Sequence, residues 1–196
     1  MSIAAIPKTL NSGARAHAAG ERLRHRSRAI GVLAMSGFGA LWAGAGLSSA
    51  PAAAWLVPAI IFLALGVRAL RVVRANPPAA EPLALEVAER QRRAGRIFAW
   101  TSAGEGLGIL LAVNVVVNLG HPDWQAAAAV AVVGLHFLPL AAAFGYRPHA
   151  VTGVALTAWA LAWPWLFAAG AAAPAGLLGA GAILFASAAW ASHSLR

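Results

Sequence analysis

The sequence predicts an all-α integral membrane protein: a bundle of six transmembrane helices with both termini in the cytoplasm. Three observations predict it. Hydrophobic residues make up 60% of the 196, and the mean hydropathy is +0.70, more apolar surface than a water-soluble domain of this size can cover. Charged residues are only 11%, and nearly all fall in two stretches. Between and after these lie charge-poor apolar runs close to the roughly 20 residues that cross about 30 Å of hydrocarbon.

Residues 1–28 carry Lys8, Arg15, Arg22, Arg24, Arg26 and Arg28 against a single acid, Glu21. This reads as a basic cytoplasmic tail. A signal or transit peptide is also basic, but the basic stretch is long, and the Ser-Ser-Ala that could serve for cleavage runs straight into Pro51. The transmembrane domain then fills 29–196, with apolar runs at about 29–47, 52–67, 97–119, 125–144, 150–169 and 176–193. Each must be helical despite its glycines and β-branched residues, because lipid offers no partner to an unpaired backbone group.

Loop charge tests the count. With the amino terminus inside, all fifteen Lys and Arg side chains fall on the cytoplasmic side: the tail, seven arginines between Arg68 and Arg96, Arg147 and Arg196. The outer turns (Leu47–Pro51, Gly120–Trp124, Gly170–Pro174) hold no Lys or Arg and one acid, Asp123. That asymmetry is the positive-inside rule, and it sets orientation as well as number. Tryptophan agrees, since indole prefers the interface: only Trp159 of the eight falls mid-span, and Trp163 and Trp165 read as part of an outer belt around Pro164.

The loop 68–96 is the largest soluble piece. Asn76-Pro77-Pro78 breaks the preceding helix, and a short helix from Pro82 runs into span three, pressing Leu83 and Val87 on the membrane. Glu86 with Arg90 and Glu89 with Arg93 are i,i+4 pairs of the favourable polarity.

Several function classes are argued against. A net charge of +9 attracts phosphate, but these arginines flank apolar runs and no nucleic-acid motif accompanies them, so no nucleic-acid partner is expected. There is no cysteine, and hence no disulfide, thiolate metal site or cysteine nucleophile. Arg147 and His149 lie across the membrane from His121 and Asp123, so these four form no metal site. We find no nucleophile elbow, zinc-binding helix motif or phosphate-cradling loop, and expect neither an enzyme nor a bound cofactor. The expected partners are the lipid bilayer and either another copy of the chain or a membrane protein, for which loop 68–96 offers a contact.

Two side chains stand out. Glu105 is the one acid within a predicted span and His136 the one histidine away from a span end. At 1.5 Å per residue each comes out about 12 Å from the cytoplasmic edge, on antiparallel neighbours. Ser36, Thr157 and Ser187 come out at nearly the same depth, so a polar layer below the midplane is expected. On span three, Thr101, Gly104, Glu105, Gly108 and Ala112 share a face, with Gly104 and Gly108 as a small-xxx-small packing pair. Asn114 and Asn118 fall on the opposite face and read as helix–helix contacts. Span three should therefore meet protein on two sides, as the central helix of the bundle. Pro139, one turn after His136, removes a donor from the helix and leaves a carbonyl near the imidazole.

Gly104-Glu105-Gly106, the run Val133-Gly134-Leu135-His136-Phe137-Leu138-Pro139-Leu140-Ala141, Phe144 and Thr152-Gly153 resemble a set of small multi-pass bacterial membrane proteins. The resemblance covers about the last 100 residues. It implies a bacterial origin and a helical bundle, and brings no activity with it.

An ionisable group at membrane depth is expensive and marks a pathway or site by default. A carboxyl beside an imidazole can exchange a proton near neutral pH. The leading expectation is a site at Glu105 and His136 for proton-linked binding or transport of a small solute. The alternative is a structural or accessory protein, with the polar pair as packing and loop 68–96 as its contact.

Overall fold

The computed structural model describes residues 8–78 and 85–195. The expectations for Pro82, Leu83 and Arg196 fall outside these residues, as do the side chains of Lys8 and Arg15. The described chain is all-helical: α1 (Lys8–Gly46), α2 (Leu56–Ala75), α3 (Leu85–Asn118), α4 (Gln125–Phe144), α5 (Arg147–Leu166) and α6 (Pro174–His193). Five are long and apolar enough to cross a membrane; α5 falls short in hydropathy. Its 20 residues include Arg147, Pro148, His149, Pro164 and three tryptophans, yet it packs between α4 and α6 like the others.

The turns between helices follow local chemistry. Asn76 ends α2, its side-chain amide donating to the Val72 carbonyl at 2.9 Å, and two prolines come next. Gly145 ends α4 at φ +59°, and the next N–H, on Tyr146, returns to the Ala141 carbonyl at 3.1 Å. A left-handed residue is needed there, and glycine takes it without a Cβ clash. Helix α1 starts well before the first apolar run, so the basic stretch from Lys8 and the apolar stretch after Arg28 are one rod of 39 residues.

The helices pack as antiparallel neighbours in the order α2, α1, α6, α5, α4, α3. Small residues decide which sit inside. On α6, Gly181 meets the backbone of Gly39 and Ala43 on α1, while Gly176 and Gly179 lie bare beneath the indole rings of Trp163 and Trp159 on α5. Trp163 is fully buried and donates to the Ala171 carbonyl at 3.1 Å; Trp159 donates to the Gly176 carbonyl at 2.7 Å. Trp163 is thus a core residue, contrary to its expected place in an interface belt, because its polar N–H is satisfied within the protein. Trp165, 78% exposed, stays outside.

Span three is not central, which overturns the expectation that protein covers both its faces. None of the residues of α3 is buried, and apart from the turn before α4 it packs chiefly on α4. The central role falls to α6, whose glycines, alanines and serines allow close approach on several sides.

The basic ends come together. The Arg26 guanidinium reaches the Val73 and Asn76 carbonyls at 3.2 and 3.4 Å, and Arg68 reaches the Ser192 carbonyl at 2.9 Å. Arg28 lies over the Tyr146 ring, 5.6 Å from its centre. The tryptophans Trp124 and Trp165 meet edge-on at the other end, 5.7 Å between ring centres.

Candidate functional site

The site grows from one close approach. A Cβ on Gly108 of α3 would stand only 3.0 Å from Val132 Cγ1 of α4, so the missing side chain lets these two helices come near each other. Glu105 is one turn from Gly108 and His136 one turn from Val132, and the antiparallel pairing brings them level. His136 Nδ1 lies 3.4 Å from Glu105 Oε2 and 3.2 Å from the Thr101 carbonyl oxygen. A carbonyl only accepts, so we assign the proton to Nδ1, which donates to Thr101 and shares that donation with the carboxylate.

A groove of about 390 Å³ opens over the pair, with Trp100, Thr101, Gly104, Val132, Leu135 and Pro139 as its other walls. The imidazole is 9% exposed and the carboxyl 24%, so the acid is the more accessible of the two. The Thr101 hydroxyl is committed to its own helix, donating to the Ile97 carbonyl at 2.6 Å. The groove therefore offers one acid and one imidazole on otherwise apolar walls. Trp100, read from sequence as an interface residue, is one of those walls; its place one turn and a half from Glu105 on the same helix is the signal that could have found it.

The polar layer expected at this depth separates into unconnected places. Ser36 is fully buried and donates to the Leu33 carbonyl of its own helix at 3.1 Å. Ser187 accepts from Thr152 Oγ1 at 2.7 Å, across the α5–α6 contact, and donates to the Ile183 carbonyl at 2.8 Å. Thr157 Oγ1 is buried without a hydrogen-bond partner where α5 crosses Gly134, about 200° around α4 from His136. None of the three lines the groove, because a shared depth does not give a shared face. Thr152 was missed as the partner of Ser187, because by residue count it falls nearer the inner end of its span than Thr157 does.

Two packing expectations on α3 also need correction. Asn114 and Asn118 are exposed, not packed between helices; Asn114 donates to the Leu110 carbonyl of its own helix at 2.7 Å. Gly104 has open space where a Cβ would be. Of the small-xxx-small pair only Gly108 meets another helix.

His149, in the first turn of α5, belongs to the surroundings. Its ring sits among Tyr146, Phe137 and Phe144, at 4.9, 5.6 and 6.3 Å between centres, with Nδ1 buried and unpartnered. Burial, and secondarily the nearby His136, hold its pKa below the ordinary histidine value. Among the described residues no three metal-ligating side chains come together.

Compared with known proteins, the chain matches no family, no curated protein and no solved structure.

Proposed function

We propose that this chain threads a bacterial inner membrane six times, with both ends in the cytoplasm, and binds a small cationic solute in exchange for a proton at Glu105 and His136. The observation that carries the reading is the 3.4 Å approach of the only acid of the predicted spans and the only histidine away from a span end, in a groove with otherwise apolar walls. An acid at that depth favours a compensating proton or cation. Trp100 adds an aromatic face suited to a cation with an apolar body. The gathering of Arg26, Arg28 and Arg68 at one end supports the threading.

Calorimetry of the purified chain with short alkylammonium ions, run in buffers of different ionisation heat, counts protons released on binding. Wild type should bind and release a proton; Glu105→Gln should abolish the release, and His136→Ala should move its pH range. Unchanged proton release in a folded Glu105→Gln protein would refute the site. Reporter fusions in the Gly120–Trp124 turn test the threading separately, and a cytosolic signal there overturns it.

A second reading, an accessory protein that docks through its cytoplasmic connector, is favoured by the bare start of α3, where Leu85 is 83% exposed, Arg92 and Arg93 are exposed, and Arg90 pairs with Glu86 at 3.8 Å. Crosslinking from residues 85–96 in native membranes should then recover one partner reproducibly.

A further inference from the structure

A second groove, of about 440 Å³, lies where α1, α2 and the end of α6 meet, far along the row from Glu105. Its walls are His25, Arg71, Val72, Ala75, Asn76 and Leu195: two nitrogen bases and an amide beside apolar carbon, with no carboxylate among the described lining. Neighbouring arginines are already engaged. Arg26 ties α1 to the end of α2, and Arg68 ties α2 to α6, each through backbone carbonyls. These ties pin the walls in place and leave Arg71 and His25 as the groove's own cationic and donor groups. A preset site of this kind loses little freedom on binding.

We propose that this groove holds the phosphate of an anionic glycerophospholipid, with Arg71 and His25 as its ligands. Guanidinium matches phosphate oxygens in charge and geometry, and basic pockets between helix ends are where such headgroups settle. The apolar residues leading up to Arg71 on α2 favour a lipid over a soluble phosphate. Val67, Ala64 and Ile60 continue its stripe at helical spacing, all exposed, Val67 at 45% and Ile60 at 61%. Headgroup at Arg71 and acyl chain along this stripe form one amphipathic binding surface.

Native mass spectrometry of the detergent-purified full chain tests it, with phosphatidylglycerol, phosphatidylcholine and inorganic phosphate as probes. Wild type and the charge control Arg93→Gln should retain phosphatidylglycerol over phosphatidylcholine. The double variant His25→Gln/Arg71→Gln should bind it about tenfold more weakly, and Arg71→Lys should keep part of the preference. Equal loss in Arg93→Gln would mean diffuse charge attraction and overturn the proposal, as would equal retention of the neutral lipid. Displacement of the lipid by inorganic phosphate at equal concentration would overturn the lipid assignment in favour of a soluble anion. None of these outcomes depends on the groove at Glu105.

Discussion

Trp163 lays its indole ring on the bare backbone of Gly176, so that α5 and α6 touch where a methyl group would collide with the ring. The tryptophan is fully buried and its N–H is already bonded to Ala171, so the ring cannot swing aside without losing that bond. Gly176→Ala should therefore destabilise the folded chain by about 1–3 kcal/mol, the usual cost of overpacking. Gly95→Ala, where a Cβ meets nothing, should leave it unchanged or slightly more stable. Thermal unfolding in detergent compares the two.

For Glu105 and His136 the contact itself can be measured. A double-mutant cycle with Glu105→Gln and His136→Phe should give a coupling of about 0.6 kcal/mol, the average for polar contacts between membrane helices, and no more than about 1.7, the largest such value. Strict additivity would mean that the two side chains do not meet in the folded protein.

The Thr152–Ser187 bond joins α5 to α6, the same two helices that meet at Gly176. Thr152→Val keeps the shape and removes the donor, so it should cost about 0.6 kcal/mol. The Ser187 hydroxyl retains the Ile183 carbonyl, which is why the loss stays small. Ser187→Ala and the double variant should show overlapping, not summed, effects on unfolding.

His149 makes stability depend on pH with a definite sign. Its folded pKa is depressed below the ordinary 6.5, so as pH falls below about 6.5 the unfolded chain takes up this proton before the folded one. Stability should then drop with falling pH and level off once the folded ring is protonated as well. His149→Phe, which keeps the aromatic packing with Tyr146 and Phe144, should flatten that part of the profile. A profile of unchanged slope would show that the ring does not titrate differently on folding.

Much of this was readable from the residues, for physical reasons. Arginine placement and helical rise put Glu105 and His136 at one height on neighbouring helices, because depth is a one-dimensional quantity that a sequence carries. Which face meets what is not such a quantity. Helical phase put Asn114 and Asn118 on one side of α3 without saying whether protein covers that side, and it is bare. Ser36, Thr157 and Ser187 were grouped by depth alone and proved to lie on separate contacts. Trp163 was assigned to the interface from its position near a span end; only the glycine opposite, 13 residues further along the chain, makes room for it inside. The central role of α6 was hidden because small residues lie all round it and no face is marked.

Helix α3 leans on a single neighbour, and the two polar partners sit on either side of that one contact. The rest of the row, clamped by tryptophans over glycines and by arginines on carbonyls, can stay rigid while this outermost helix swings like a door on its frame. Regions with the sparsest packing open first. The acid and the imidazole thus stand on opposite edges of the joint that takes the least free energy to part.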